Sequence, residues 1–400
     1  MTDTNADRLA QPGAARPKPA EILMLFATRW RMVPILVVLA LVWLYFATQS
    51  DVFLSPRNLS NLAGQIVVTA TIALGLFFVL VVAEIDLSVA AASAVSAGVM
   101  ARLAISLGVD PWLAVLAGLG TGALLGLVSG LIVTLFRAPS FIVTLGLSLI
   151  LQGVLLQLLP QTNLFSLVQT PIAALSTTYL GPGTGLLLAA AATAIVAALA
   201  TGHYLGLRRS GLQARIVPQV LVPTVLVALA SAAALLVFNA YKGVPLTVAI
   251  LLALLGALAY LTTQTRFGLY LFAIGANPEA ARRAGIPVNA VKVAAFVLSG
   301  LLVATGGIIA ASRVMGVSPE SADASILLDA IAAAVIGGVS LFGGRGSVFA
   351  ALVGALMIGS VSNGLLLISA TTETRLQVQG AILIIAVILD AWISRGSRRQ

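Results

Sequence analysis

The sequence predicts an all-α membrane protein with about ten to twelve transmembrane helices and both termini in the cytoplasm. Of its 400 residues, 60% are hydrophobic and only 9% are charged, and the mean hydropathy is +1.09. A soluble globular domain carries about 25% charged residues, so a water-soluble fold is excluded. Almost unbroken apolar runs such as residues 186–200 exclude the alternating pattern of a membrane β-barrel.

A membrane-crossing helix needs about 20 mostly apolar residues. These spans form one predicted transmembrane domain over residues 32–394, which follows a disordered cytoplasmic tail over 1–31 and precedes a cytoplasmic tail over 395–400. The twelve apolar stretches are 32–50, 64–83, 88–106, 111–136, 140–159, 184–202, 217–238, 244–261, 293–312, 325–342, 347–368 and 377–394.

The net charge of +9 comes from basic residues that the twelve-span topology places mainly on one side of the membrane. Seventeen of the 22 Lys and Arg residues face the cytoplasm, and the other five are Arg57, Arg102, Lys242, Arg313 and Arg375. This positive-inside asymmetry supports a multi-pass protein whose termini both lie in the cytoplasm. The position of the basic residues on the cytoplasmic side explains the positive net charge. No nucleic-acid partner is therefore predicted.

Glu84 and Asp86 stand between the second and third predicted spans, and Ser88 is the first residue of the third. Acidic residues at membrane depth are costly and usually functional, which makes these residues candidates for a substrate pathway. The alternative is a short cytoplasmic turn in which Ser88 caps the next helix and the acids favour its N-terminus. The residues alone leave both interpretations open.

The longest polar interruption is the predicted cytoplasmic loop over residues 262–292. Within it, Asn277 is suited to cap a helix, Glu279 would lie in the first turn, and Gly285 is suited to end the helix. The pattern predicts a short helix at about 278–284. So short a helix is not stable alone, so we expect it to pack against a partner protein or the base of the bundle.

A glycine-rich segment over residues 337–347 follows Asp329. It predicts a tight turn between the tenth and eleventh spans. The chain contains no Gly-x-x-x-x-Gly-Lys-Ser/Thr sequence, so a phosphate-binding loop for ATP is not predicted. The chain also lacks cysteine, and no grouping of residues suggests a metal site, a cofactor or an enzyme nucleophile.

Glycines recur along the fourth span, which favours close helix packing, with a moving interface as the sharper alternative. They are Gly118, Gly120, Gly122, Gly126 and Gly130. Residues 122–130 also resemble residues 354–364 of the eleventh span, which runs in the opposite direction on this topology. The similarity fits an inverted internal repeat, although shared Gly, Ala and Leu content explains it equally well.

Several of these segments resemble the ribose-type ABC sugar permeases, the inner-membrane components of binding-protein-dependent importers. Residues 84–88 are similar to the family's Gly-Ile-Asp-Leu-Ser motif, and residues 277–286 to its Asn-x-Glu-Ala-Ala-Arg loop. Residues 329–347 match its late glycine-rich segment almost residue for residue. Polar positions near the second span also match, namely Asn58, Asn61 and Gln65.

Within this family, the chain is most similar to the branch that transports D-xylose. Ala83-Glu84 precedes Ile-Asp-Leu-Ser, residues 242–245 read Lys-Gly-Val-Pro, and residues 183–239 add two spans that shorter members lack. Departures from the family pattern occur at Ala90, Arg283-Ala284 and Ser362-Asn363. They bear on the identity of the substrate more than on the class of transporter.

The resemblance implies the permease subunit of an ATP-driven importer for a monosaccharide, above all D-xylose. It also implies a homodimer in the lipid membrane, ATPase subunits that hydrolyse ATP on the cytoplasmic face, and a periplasmic sugar-binding protein. The residues carried over for ATPase docking are Asn277, Glu279, Ala280, Arg282, Arg283 and Gly285. The candidates for the pathway of a neutral sugar are Asn61, Gln65, Glu84, Asp86, Ser88 and Asn363, although a mostly apolar pathway is an alternative.

Two other functions remain open at this point. An ion-coupled secondary transporter would use Glu84 and Asp86 as its ion site, and its uptake would stop when the ion gradient collapses. A permease of the same superfamily for another pentose or a nucleoside would keep the dependence on ATP.

Overall fold

The computed structural model describes residues 32–211 and 214–397. The predicted N-terminal tail over 1–31 lies outside the described residues, as do residues 398–400 of the predicted C-terminal tail. The described chain contains fifteen α-helices and two pairs of very short strands.

In chain order, the helices are α1 (Met32–Gln49), α2 (Pro56–Val81), α3 (Val89–Ala101), α4 (Pro111–Leu135), α5 (Ser140–Leu158), α6 (Ala174–Thr177), α7 (Pro182–Arg209), α8 (Val222–Asn239), α9 (Leu246–Gln264), α10 (Arg266–Ala276), α11 (Pro278–Arg283), α12 (Val288–Val314), α13 (Ala324–Ile336), α14 (Val348–Leu367) and α15 (Thr372–Ser397). The strands are β1 (Phe165–Ser166), β2 (Tyr179–Leu180), β3 (Val244–Pro245) and β4 (Gly316–Val317). Strand β1 pairs antiparallel with β4, and β2 with β3.

Nine helices in the described part of the chain are long and apolar enough to cross a membrane. They are α2, α3 with the π-helical turn that extends it, α4, α5, α7, α8 with the π-helical turn that precedes it, α9, α12 and α14. This result confirms the prediction of an all-α polytopic membrane protein. Helices α1 and α15 occupy the first and last predicted stretches.

The tenth predicted stretch, residues 325–342, is not one continuous helix. Helix α13 has 13 residues and ends at Ile336. Gly338 follows with a φ of +101°, a backbone conformation that favours glycine because a side chain would clash. The chain therefore turns away from the helix axis several residues before the predicted end of the span.

The centre of the bundle is formed by α2 and α12, which pack on each other and on neighbouring helices. Helix α4 approaches α12 closely because of its glycines. A Cβ atom built on Gly126 would lie 2.2 Å from the carbonyl oxygen of Phe296, and one on Gly300 would lie 2.0 Å from that of Gly122. The predicted close packing is thus confirmed, except at Gly120, where an added Cβ atom would meet no atom outside its own helix within 4 Å in the described part of the chain.

The two additional spans form a peripheral hairpin of α7 and α8, which pack mainly against each other. The paired strands β2 and β3 hold the two ends of this hairpin together. An apolar cavity of about 410 Å³ separates the hairpin from α2, α9 and α14. The hairpin is therefore only loosely attached to the central helices.

Candidate functional site

An open cavity of about 910 Å³ lies at one end of the bundle and brings together segments that are far apart in the sequence. Glu84 contributes from the linker between α2 and α3, Arg137 from the end of α4, and Lys292 from α12. Glu279 and Arg282 of α11 complete its charged lining. All three of these basic residues are ones that the charge pattern assigns to the cytoplasmic side, so this is the predicted cytoplasmic end.

Helix α11 at the edge of this cavity is the predicted short helix. The side chain of Asn277 accepts a hydrogen bond from the backbone N–H of Ala280 at 2.9 Å, which satisfies one of the free donors of the first turn. The helix ends at Arg283, one residue earlier than expected, and Gly285 follows with a φ of +82°. Its buried contact with the bundle is Ala281.

All six residues predicted to dock an ATPase are exposed on this helix and its flanks. They are Asn277, Glu279, Ala280, Arg282, Arg283 and Gly285. Their exposure leaves one acidic and two basic side chains free to contact another protein at this end of the bundle.

Glu84 and Lys292 form an ion pair across the cavity. The two side chains are only 14% and 19% exposed. The pair joins the α2–α3 linker to α12, the helix that follows α11 in the chain.

Asp86 and Ser88 lie in the same linker, and both are buried. One carboxylate oxygen of Asp86 accepts hydrogen bonds from the backbone N–H of Ser88 at 2.9 Å and from its hydroxyl at 2.6 Å. Burial raises the pKa of the Asp86 carboxyl, and these two hydrogen bonds oppose the rise. The linker is also fastened to α5, where Ser140 and Thr144 accept hydrogen bonds from its backbone.

The prediction that the Ser88 side chain caps the next helix is wrong. Its hydroxyl donates a hydrogen bond to Asp86 and makes no capping hydrogen bond to α3. The segment is a turn, which agrees with the second of the two interpretations of the sequence. Asp86 is not exposed to solvent in this turn, because only 5% of its surface is accessible. Both residues thus hold the shape of the linker, and neither side chain faces the open cavity.

The glycine-rich segment between α13 and α14 makes the predicted tight turn and packs on this same end of the bundle. Gly344 donates its N–H to the carbonyl oxygen of Val81 at 2.9 Å. A Cβ atom on Gly275 would lie 1.8 Å from that same oxygen, and one on Gly343 would lie 2.7 Å from the Cβ of Ala83. Only glycine permits such close approach of three backbone segments.

A second, smaller cavity of about 200 Å³ lies toward the opposite, outer end of the bundle. Its polar lining residues are Gln65, Thr69, Arg313, Asp329 and Ser362. Of the six predicted pathway residues, only Gln65 lines it. Sequence reasoning treated Arg313 as a loop charge and Asp329 as the start of the glycine-rich segment, although charges beside long apolar runs were the signal that could have found them.

The remaining pathway candidates lie elsewhere. Asn61 is exposed on α2, one helical turn before Gln65. Asn363 is buried and exchanges two amide hydrogen bonds with Asn58, at 2.9 and 3.2 Å, while Asn58 also donates to the carbonyl oxygen of Phe53. Asn363 therefore fastens α14 to α2 and does not line the cavity.

Comparison with known proteins shows that this chain is similar to sugar permeases. The xylose transport system permease protein of Escherichia coli (strain K12) is 37% identical over 373 residues, which are 91% of this chain and 92% of that protein. The ribose import permease protein of Bacillus subtilis (strain 168) is 34% identical over 84% of this chain and 86% of its own. The D-allose transport system permease protein of E. coli (strain K12) is 29% identical over 92% of this chain and 94% of its own. No solved structure matches.

The family described as the permease component of the branched-chain amino acid transport system matches residues 58–387. This range includes α11, both charged cavities and the glycine-rich segment. Together with the nine apolar helices, the match identifies a multi-pass protein of the bacterial inner membrane and a transporter subunit. The chain therefore belongs to the family of branched-chain amino acid transport system permease components.

Proposed function

We propose that this chain is the membrane-spanning permease of an ATP-driven importer for a monosaccharide, namely D-xylose. The observation that carries the proposal is the 37% identity to a xylose permease across 91% of the chain. The relatives described for ribose and allose are 34% and 29% identical, so xylose is the favoured sugar within a shared class. In this function the permease forms a homodimer and receives the sugar from a periplasmic binding protein.

The energy would come from ATPase subunits that dock on α11. The exposed charges of Glu279, Arg282 and Arg283 would pair with groups of opposite sign in a groove of the ATPase. Closure of the ATPase would push α11, and the ion pair of Glu84 with Lys292 would carry this displacement to the α2–α3 linker. ATP shifts the access of the pathway only by binding the two states of the assembly with different affinity.

The roles of the predicted pathway residues then separate into two groups. Asn61 and Gln65 lie on one face of α2, since residues four apart are neighbours on a helix, and they remain candidates for contact with the sugar. Asp86, Ser88 and Asn363 would support transport by holding the linker and α14 in place. Glu84 would act in coupling.

Uptake of D-xylose tests the proposal. We expect cells that contain this chain with its ATPase and binding protein to take up xylose in the presence of an uncoupler and to stop when ATP is depleted. Uptake that stops with the uncoupler at constant ATP would instead support an ion-coupled transporter. ATP-dependent uptake of another pentose or a nucleoside, without xylose uptake, would contradict the assignment of the substrate.

The docking surface is tested by Glu279→Lys, which replaces an exposed negative charge on α11 with a positive one. We expect normal membrane insertion but loss of ATPase binding in a pull-down and loss of uptake. Arg209→Glu at the end of α7 is the matched control, since it reverses an exposed charge at the same end of the bundle, and we expect it to transport normally. Normal uptake by Glu279→Lys would contradict docking through α11.

A further inference from the structure

The outer cavity is built from four of the central helices. Gln65 and Thr69 lie on α2, Arg313 in the last turn of α12, Asp329 on α13, and Ser362 on α14. Arg313 is exposed and reaches across α2, where a Cβ atom on Gly64 would lie 3.9 Å from its Nε atom. The cavity thus lies where the central helices open toward the outer side.

None of these five polar side chains forms a hydrogen bond or an ion pair with another residue in the described part of the chain, although Asp329 is half-buried. At the other end of the bundle, Glu84 is paired with Lys292. Charges beside apolar helices carry a cost that proteins accept mainly at functional sites. An Arg and an Asp that share a small cavity without pairing are available to a ligand.

The chemistry of the lining selects the ligand class. A carboxylate accepts hydrogen bonds, a guanidinium donates them, and the amide and two hydroxyls do both. The lining thus offers several acceptors beside several donors, which suits the hydroxyl groups of a polar solute. The cavity is smaller than the roughly 300–1,000 Å³ pockets that hold drug-sized ligands, which suits a small solute.

We propose that the cavity lined by Gln65, Thr69, Arg313, Asp329 and Ser362 is the outer contact site for the transported monosaccharide, where Asp329 accepts and Arg313 donates hydrogen bonds to its hydroxyl groups. This inference rests on the proposed function. It places the specificity-determining contacts on α12, α13 and α14 in addition to α2.

The absence of cysteine makes the native chain a background for single-cysteine labelling. Ser362→Cys would report on the cavity, and Thr162→Cys, exposed in the outer segment between α5 and β1, is the matched control. Both full-length variants would be assembled with the ATPase and binding protein in lipid nanodiscs and treated with a membrane-impermeant thiol reagent. The added solutes would be D-xylose and its carboxylate derivative D-xylonate.

We expect D-xylose to slow labelling of Ser362→Cys about threefold at a concentration near twice its dissociation constant, since one third of the sites then remain free. D-xylonate should give no protection, and labelling of Thr162→Cys should not change. Adding Asp329→Asn should abolish the protection. Should that double variant fail to fold, Arg313→Gln in the same background provides the second measurement, with the same expected loss.

Xylose uptake by the unlabelled assembly separates the two proposals. Uptake without protection of Ser362→Cys, together with normal uptake by Asp329→Asn, would overturn the contact site and leave the proposed function intact. Spontaneous disulfide linkage of two Ser362→Cys chains that blocks labelling with and without xylose would also overturn it, because the cavity would then be closed by a second copy. Absence of xylose uptake would overturn the proposed substrate.

Discussion

Helix α2 and helix α8 are both strongly apolar and long enough to cross a membrane, yet the fold uses them in opposite ways. In α2, 78% of the most apolar 18-residue window is buried inside the protein, whereas in α8 none of it is. Helix α2 also carries polar residues that hold the bundle together or line its outer cavity, namely Asn58, Gln65 and Thr69. Helix α7, which packs against α8, has 6% of the corresponding window buried.

The difference shows that burial in this protein follows from side-chain size and polar contacts and not from hydrophobicity. Lipid tails are as apolar as leucine, so association of helices in a membrane depends on close packing and hydrogen bonds. Glycine contacts and the amide pair of Asn58 with Asn363 supply these to the central helices. Changes that remove such contacts should therefore have large effects, and changes in the hairpin small ones.

The largest effect is expected for Gly126→Ala. The added methyl group would lie 2.2 Å from the carbonyl oxygen of Phe296, so α4 and α12 would have to separate, at a cost of at least about 1–3 kcal/mol. The control is Gly120→Ala on the same helix, where the added methyl group would meet no atom outside that helix within 4 Å in the described part of the chain. Thermal unfolding in detergent should show a lower midpoint for Gly126→Ala alone, and equal midpoints would contradict the packing argument.

The next effect is expected for Asn58→Leu. It would leave the amide of Asn363 and the carbonyl group of Phe53 without their buried hydrogen-bond partner, which costs about 1–3 kcal/mol. Asn61→Leu, an exposed position on the same helix, is the control for stability. A midpoint for Asn58→Leu as high as that of the control would mean that the amide pair adds nothing to the association of α2 and α14.

Substitutions in the ion pair of Glu84 with Lys292 are expected to reduce stability less. They should specifically weaken the coupling of ATP hydrolysis to xylose import. Glu84→Gln and Lys292→Met each leave one charge without its partly buried partner, whereas Glu84→Lys combined with Lys292→Glu restores a pair of opposite charges. Reconstituted transporter should hydrolyse more ATP per xylose imported in the single variants than in wild type, and the double variant should recover part of the coupling. Equal ratios in all four proteins would exclude a role of the pair in coupling.

The smallest effect is expected when the peripheral hairpin is removed. Leu180 and Val244 are paired across β2 and β3, so deletion of residues 182–242 would join Gly181 directly to Gly243. The resulting Gly-Gly pair suits a two-residue turn between antiparallel strands. We expect a folded permease that retains uptake, measured beside wild type; an unfolded product would show that the hairpin belongs to the central unit.

Much of the local structure could be predicted from the sequence. The apolar stretches located the helices because lipid offers no other partner for backbone polar groups. The cap at Asn277 and the stop at Gly285 located α11 to within one residue, since caps act through neighbouring backbone atoms. The turn after Asp329 was also predicted, but the early end of α13 at Ile336 was not.

The sites were predicted less well than the helices. Asp86 is buried and satisfied by Ser88, while Asn363 is bonded to Asn58 across 305 residues of sequence. The pairing of Asn363 leaves no trace in the local sequence, and the contact of Asp86 with Ser88, although only two residues apart, does not reveal that both residues are buried. Arg313 and Asp329 were overlooked as partners in a cavity because they belong to different helices whose relative rotation is not encoded locally.

By itself, the sequence determined that this protein is a polytopic helical membrane protein, where most of its helices begin and end, and which loop carries the short exposed helix. Only the tertiary structure decided which apolar helices are central, that Glu84, α11 and the glycine turn meet at one end, and that five polar side chains face one cavity at the other. The reason is that lipid and the protein interior are both apolar, so hydrophobicity does not mark the face of a helix that contacts protein. Which face contacts protein is then set by close packing and polar contacts between distant residues, and these exist only once the helices have assembled.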